Sequence, residues 1–169
     1  GIGGKSTQKL KKYGIHTALS LAKTDERWIQ KLMGITGARI VSELRGIPCY
    51  GLDDSPSPKK GIGVSRTFYS EIDNFDDLKT AVSGYMCRAA EKLRAQKSVA
   101  NVIMVLAATN RFKSHYGFHM ATAALPVPTS DTTELLRYAG QCLRQVYKED
   151  IWYKKAGVFL SGLTSDRWV

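Results

Sequence analysis

The spacing of apolar residues changes character about one third of the way along the chain. Before residue 48, apolar side chains such as Trp28, Ile29 and Leu32 recur three and four positions apart, which is the spacing of one helix face. Glycines such as Gly34 follow these runs, at positions where they end helices. The pattern predicts short helices over residues 6–12, 16–23, 25–33 and 36–45, the third of them capped by Thr24 or Asp25.

Residues 59–163 instead alternate between the strand period and the helix period. Strands are predicted over residues 62–68, 99–108, 118–125 and 152–163, with Pro126 and Pro128 ending the third. Helices are predicted after Asn74 and after Asp131, and Glu134 completes a sequence that resembles a capping box. The order β-α-β-β-α-β predicts an α+β fold of the ferredoxin-like, split β-α-β type. Both helices then cover one sheet face, and the other face is left for polar residues or a partner.

A proline-rich stretch separates the two parts. Residues 48–58 contain three prolines and several small polar residues, which is typical of an extended tether. We therefore expect a helical segment over 1–47, a linker over 48–58, a second domain over 59–163 and a tail over 164–169.

The chain is strongly basic, with a net charge of +10. Residues 1–47 and residues 59–169 each have a net charge of +6, whereas the linker carries only Asp53 and Asp54. Such a balance suggests a partner that is a nucleic acid or another acidic surface. No signal peptide and no long apolar run is present, so the sequence predicts neither secretion nor a membrane span.

The residues that usually perform catalysis are scattered. The three cysteines are isolated, which is typical of reduced thiols in a core. His115 and His119 have metal-ligand spacing, but Gly117 between them argues against a helix. No carboxylate pair suited to two-metal phosphoryl transfer is evident, so the pattern favours a binding protein over an enzyme.

The opening heptad, residues 1–7, allows three interpretations. Gly4, Lys5 and Ser6 match the end of a nucleotide-binding P-loop, but the first glycine of that motif is not in the sequence. Gly1 and Gly3 flank an apolar residue ahead of a helix, as in the turn of a helix-hairpin-helix, whose amides bind a phosphate. The third interpretation is a turn without a ligand.

The uncovered sheet face is the other predicted binding site. Ser65 and Thr67 alternate with apolar residues in the first strand, so they should lie on that face and donate hydrogen bonds to phosphate. Arg66 breaks this alternation, and either a bulge re-aims it or it emerges at the sheet edge. Solvated surface charge is the alternative for each of the basic candidates: Lys59, Lys60, Arg66, Arg111, Lys113, Lys154 and Lys155.

A series of short motifs resembles the C-terminal half of Y-family translesion DNA polymerases, in particular the UmuC branch. They are GIGGKST (1–7), YGI (13–15), ELRGIPC (43–49), SRTF (65–68), AAEKLR (89–94), LPVPT (125–129) and YKKAGV (153–158). The resemblance covers nearly the whole chain, with the motifs in family order.

The resemblance implies that residues 1–47 are the end of the thumb and that residues 59–163 are the little finger. Both would bind the backbone of primer–template duplex during lesion bypass in the SOS response of the bacterial cytoplasm. It places the catalytic carboxylates and their two Mg²⁺ ions in a palm before residue 1, so this part alone is expected to be inactive. A UmuD-like accessory subunit and a sliding clamp are implied as partners through other regions. A P-loop fragment and a protein-interaction module remain the alternatives.

Overall fold

The structure, a computed structural model, describes residues 2–51 and 57–168. Gly1 and residues 52–56 of the expected linker, with Asp53 and Asp54, lie outside the described residues, as does Val169. The chain folds as two compact units, Gly1–Pro56 and Ser57–Val169, and each is described by itself.

The first unit is helical, with α1 (Gly4–Lys11), α2 (Ala18–Ala22) and α3 (Glu26–Leu44). Asp25 rather than Thr24 caps α3, since its carboxylate accepts a hydrogen bond of 2.8 Å from the amide of Trp28. Gly34 interrupts α3 with φ 73°, a left-handed conformation that only glycine adopts at little cost. The break divides α3 where the sequence pattern changes from one predicted helix to the next.

A small apolar cluster holds this unit together: Leu10, Leu21, Ile29 and Val41 are each at most 4% exposed. Arg45 reinforces it by donating hydrogen bonds to the carbonyls of Ala22, at 2.8 Å, and Thr24, at 2.7 Å. These carbonyls lie at the end of α2 and just beyond it, where the helix offers them no partner. The guanidinium therefore ties the end of α3 to the end of α2.

The second unit has the predicted β-α-β-β-α-β order. Its elements are β1 (Ile62–Ile72), α4 (Phe75–Ala95), β2 (Ser98–Ala108), β3 (Phe118–Thr129), α5 (Thr132–Val146) and β4 (Tyr153–Ser161). The sheet is antiparallel with the strand order β1-β4-β2-β3. Asn74 and Asp131 cap the two helices as predicted, each accepting a hydrogen bond of 2.8 Å from the amide three residues later.

Both helices lie on the same side of the sheet. Helix α4 packs on β1, β4 and β2, and α5 packs on β3 and β2. The shared core contains Leu78 and Met86 of α4, Leu143 of α5, and Ile103 and Val105 of β2, all with no exposed surface. The α+β prediction with helices on one face is confirmed.

The prediction that Pro126 and Pro128 end the third strand is wrong. Strand β3 continues to Thr129, which pairs with Ala100 after an irregularity in the register. Proline cannot donate a ladder hydrogen bond, but β3 is an edge strand, where prolines are tolerated at irregular positions. The sequence pattern alone did not reveal which strand would lie at the edge.

The residues expected to be a tail also join the fold. A two-residue strand, β5 (Thr164–Ser165), pairs with Ser98 and Val99 at the start of β2, and a short 3-10 helix follows it over Asp166–Trp168. The amide of Asp166 donates a hydrogen bond of 3.1 Å to the carbonyl of Lys97. These contacts extend the second unit beyond Leu163.

The contact between β1 and β4 requires a glycine at position 157. A Cβ atom there would lie 2.9 Å from Ser65 Cα and 2.9 Å from the Val64 carbonyl oxygen, closer than real Cβ contacts. We expect Gly157→Ala to destabilise the fold by about 1–3 kcal/mol, because the two strands must separate. Gly84→Ala is the matched control: a Cβ at this position in α4 meets nothing within 4 Å. It should stabilise by up to about 1 kcal/mol. Urea unfolding measures both, and equal stability of the two variants would contradict the packing described.

Candidate nucleic-acid interface

The strand register assigns each side chain to one of the two sheet faces. Ile62 lies opposite Leu160, and Val64 lies opposite Val158; all four are buried under the helices. The residues between them on β1 point to the opposite side, since successive side chains of a strand alternate. We call this uncovered side the open face.

Ser65 and Thr67 both lie on the open face, at the positions that the alternation predicts. Both are exposed, and Thr67 pairs with Lys155 of β4. Lys155 is itself exposed and pairs on its other side with Ala108 of β2. Directly opposed residues on one face have Cβ atoms about 5 Å apart. The hydroxyl of Thr67 and the ammonium of Lys155 therefore point from the same patch.

Arg66 lies on the other side of the sheet. It pairs with Ala156, which is fully buried under the helices. The bulge suggested by the sequence does occur in β1, but between Thr67 and Ile72, so it does not re-aim Arg66. Its charge acts instead on Tyr85 of α4. Burial raises the pKa of Tyr85, and the positive charges of Arg66 and Arg88 oppose that rise. Arg66 thus projects from the helix side at the edge strand.

Four further basic candidates of this unit lie near the two ends of β1. The backbone of Lys59 is held before β1 by two hydrogen bonds with the Gln96 side chain, at 2.9 and 3.0 Å, and Lys60 follows it, exposed. Lys154 and Lys155 lie beside the far part of β1, where Lys154 Nζ donates to the Tyr69 carbonyl at 2.7 Å. Positive charge therefore lies near both ends of β1, the strand that carries Ser65 and Thr67.

Two candidates belong to the loop between β2 and β3. Lys113 forms a salt bridge of 2.6 Å with Glu71, so its charge is matched by a carboxylate. Arg111 is exposed and stacks over Phe112, with 5.3 Å between the guanidinium carbon and the ring centroid. Arg111 is thus the more accessible cation of the loop.

The part of the open face that β4, β2 and the edge strand β3 form is more apolar than the polar alternation of β1 predicts. Met104 and Leu106 of β2 lie at outward register positions, and Phe118 and Met120 of β3 are 51% and 61% exposed. Phe159 of β4 covers the backbone of β1, since a Cβ on Gly63 would meet its ring at 3.1 Å. The sequence of β3 already contained this signal. Phe118 and Met120 are two positions apart, so they point to one face of the sheet, whereas Ala121 and Ala123 point to the other.

The loop forms a groove at the end of the open face. This cavity of about 420 Å³ opens between the loop and the strands β1 and β4, and we call it the loop groove. Its side chains come from Thr67, Arg111, Phe112, Tyr116, Lys154 and Lys155. A second cavity of about 660 Å³ shares Tyr116 with the loop groove and is also lined by Glu71, Asp150 and Lys113. The loop groove has no acidic lining residue, whereas this second cavity has two.

The other candidate site is the start of α1 in the first unit. Gly3 is the N-cap residue and supplies no side-chain cap, and Lys5 is exposed in the first turn, next to Ser6. A Cβ on Gly3 or Gly4 would meet nothing within 4 Å, so the backbone is open to an approaching group. Gly1, the remaining residue of this predicted site, lies outside the described residues.

The described residues do not fit a catalytic metal centre. Within 2–51 and 57–168, no group of three or more His, Cys, Asp or Glu residues is placed to bind a metal ion. Two-metal chemistry needs such a set of oxygen ligands. None of the helices in the described ranges is long and apolar enough to cross a membrane.

Comparison with known proteins gives a consistent set of relatives. Residues 59–168 match the family described as the impB/mucB/samB family C-terminal domain. The chain is 38% identical over 164 residues to Protein MucB of Salmonella typhimurium, covering 95% of this chain and 39% of MucB. It is 33% identical over 168 residues to Protein UmuC of the same species, covering 98% of this chain and 40% of UmuC. The chain thus spans well under half the length of these relatives.

Solved structures share the fold at low sequence identity. An insertion ternary complex of Dbh DNA polymerase matches with a TM-score of 0.54 and 14% identity, covering 98% of this chain and 46% of that one. A Y-family DNA polymerase chimera built on Dbh matches with a TM-score of 0.60 and 15% identity, with the same two coverages.

The Lys113–Glu71 pair can be tested by titration. The hydrogen bond from Lys113 lowers the pKa of Glu71 below its ordinary value of 4.5, although partial burial opposes this effect. We expect Lys113→Gln to raise the pKa of Glu71, measured by NMR of its carboxyl carbon, whereas Arg137→Gln, which breaks the separate Arg137–Glu134 pair, should leave it unchanged.

The direction in which the pKa of Glu71 shifts determines how the pair affects the stability of the fold as the pH changes. Because the pKa of Glu71 is lower in the folded state, the pair stabilises the fold above the unfolded pKa, and that contribution disappears as the pH falls through the folded pKa. The Lys113→Gln variant should therefore lose less stability on acidification. A pKa of Glu71 that is ordinary in the unsubstituted protein would contradict the ion pair.

Proposed function

This chain belongs to the impB/mucB/samB family, and from that premise we propose that it is the DNA-binding C-terminal part of an error-prone translesion DNA polymerase of the Y family. In this proposal it binds the backbone of the primer–template duplex during lesion bypass in the SOS response. The UmuC branch is favoured because MucB and UmuC are 38% and 33% identical over 95% and 98% of the chain, whereas DNA polymerase IV of Streptococcus thermophilus is 26% identical over 96% of it.

The two units correspond to two parts of such a polymerase. We assign residues 1–47 to the end of the thumb, 48–58 to a linker and 59–163 to the little finger, followed by residues 164–169. The all-helical first unit and the split β-α-β second unit are compatible with this division. The family match over residues 59–168 supports counting the short strand β5 as part of the same domain.

The open face is the observation that carries the proposal. Glu71 is the single carboxylate in strands β1 to β4, and Lys113 neutralises it. The face offers the hydroxyls of Ser65 and Thr67 and the ammonium of Lys155, with Lys154, Lys59 and Lys60 at the ends of β1. Hydroxyls and cations without competing acids are the groups that bind phosphate oxygens. Contacts of this kind do not read bases, which suits a protein that must accept any sequence.

The start of α1 is the second phosphate site in this proposal. The first three amides of a helix lack partners within it and carry a partial positive charge. Gly3 allows a phosphate to approach them closely, and Lys5 and Ser6 add a cation and a hydroxyl. Gly1 completes this site in the helix-hairpin-helix interpretation.

The activity of the whole protein is proposed from its relatives. Catalysis would come from a palm that holds Mg²⁺ outside the part described here, and this chain alone would bind DNA without extending it. We further propose that a UmuD-like subunit and a sliding clamp bind other regions, and that the protein acts in the bacterial cytoplasm.

The alternatives have less support. For the P-loop, the match consists only of Gly4, Lys5 and Ser6, and the described residues 2–51 form no strand beside α1. A protein-interaction module would use the apolar part of the open face, around Met104, Leu106 and Met120. Binding to a protein that persists after DNA is removed would favour that alternative.

Duplex binding at increasing salt concentrations tests the proposal. Fluorescence anisotropy with a labelled duplex should show the logarithm of affinity falling linearly with the logarithm of salt concentration, because bound phosphates release counterions. Lys155→Ala should weaken binding to all sequences alike and reduce the slope by about one. Lys154→Ala should act in the same direction.

Lys79→Ala is the matched control for this experiment. Lys79 is exposed on α4, on the covered side of the sheet, so its removal subtracts the same charge away from the open face. Equal losses in Lys79→Ala and Lys155→Ala would show a non-specific charge effect and contradict the assigned face. Affinity that does not change with salt would contradict the proposed function itself.

A further inference from the structure

The loop groove differs in chemistry from the rest of the open face. It combines three cations, Arg111, Lys154 and Lys155, with two aromatic side chains, and none of its lining residues is acidic. The neighbouring cavity contains two carboxylates, Glu71 and Asp150, and one lysine, Lys113. An anionic ligand is therefore favoured in the loop groove over this neighbour.

The aromatic side chains of the groove are accessible. Phe112 is 87% exposed and Tyr116 is 55% exposed. Their rings contribute little to the core, since neither belongs to the buried cluster of the second unit. An aromatic ring that is left in water beside several cations offers a flat surface on which another planar group can stack.

The loop holds these rings in place. The Thr109 amide donates to the Gly117 carbonyl at 3.0 Å, and the Gly117 amide donates to the Thr109 hydroxyl at 2.8 Å, which closes the base of the loop. The Phe112 amide donates to the Asn110 side chain at 3.1 Å. Together with the Lys113–Glu71 salt bridge, these hydrogen bonds hold the loop in the conformation from which Phe112 is exposed. Such preorganisation lowers the entropy cost of binding.

An unpaired nucleotide matches this combination of groups. Its base has a planar face that stacks on an aromatic ring, and its phosphates pair with cations, the two features by which proteins bind single strands. Bases within a duplex are already stacked on each other and cannot reach Phe112. A cavity of about 420 Å³ lies in the size range of small-ligand pockets.

We propose that the loop groove binds unpaired nucleotides of a single-stranded DNA segment, with bases stacked on Phe112 and Tyr116 and phosphates held by Arg111, Lys154 and Lys155. This inference rests on the proposed function, which it deepens: the duplex lies along Ser65 and Thr67, and the single strand continues past Lys155 into the groove. The stacking would be tolerant of sequence, since every base has a planar face.

Binding of matched oligonucleotides by the full 169-residue chain tests the groove. The probes are a fluorescent single strand of about ten thymidylates and an abasic strand of the same length and charge. Phe112→Ala should weaken binding of the thymidylate strand by about five- to 100-fold and leave the weaker binding of the abasic strand unchanged. Phe112→Trp should retain the affinity, because indole also stacks.

Two controls separate stacking from charge and from folding. Trp152→Ala removes another exposed aromatic near the loop but outside the groove, so it should bind as the unsubstituted chain does. Lys155→Ala should weaken both strands, since it removes a phosphate contact. Circular dichroism should show an unchanged fold for Phe112→Ala, because the ring makes little core contact.

The outcomes distinguish this inference from the proposed function. If Phe112→Ala and Tyr116→Ala bind the thymidylate strand as tightly as the unsubstituted chain, while salt-dependent duplex binding persists, the groove inference is wrong and the proposed function stands. Equal affinity of the unsubstituted chain for the two strands would also overturn the inference. If neither duplex nor single strand binds, both fail.

Discussion

The packing of α4 and α5 against one side of the sheet determines everything else in the second unit. Side chains alternate along each strand, so burying Ile103 and Val105 of β2 beneath the helices forces Met104 and Leu106 to the other side. The same constraint buries Ala156 and Val158 of β4 and exposes Lys155. The open face is thus a direct consequence of the core.

Within that face, chemistry changes from the edge to the centre. Strand β1 contributes small and hydroxylated residues, and Gly157 allows Ser65 to lie close against β4. The central strands contribute larger apolar side chains, and the loop after β2 adds cations and accessible rings. The edge therefore suits a phosphate backbone, whereas the loop groove suits a group with both a planar surface and a charge.

Much of this architecture could be predicted from local patterns. The helix caps Asp25, Asn74 and Asp131, the strand alternation through Ser65 and Thr67, and the β-α-β-β-α-β order all follow from interactions between residues near in sequence. The error at Pro126 and Pro128 came from tertiary context, because β3 lies at an edge of the sheet. Two other features also depend on contacts distant in the sequence: Lys113 is paired with Glu71, and the side of the sheet on which Arg66 lies depends on where β1 bulges.

Mapping the backbone amides that respond to duplex DNA is the most direct test of the open face as the interface. NMR spectra of the isotopically labelled chain, recorded as duplex is added, report each amide separately. The account predicts that the largest shifts occur at Ser65, Thr67 and Lys155 and at the start of α1. Shifts confined to the solvent-facing residues of α4 and α5, with the open face unchanged, would contradict it.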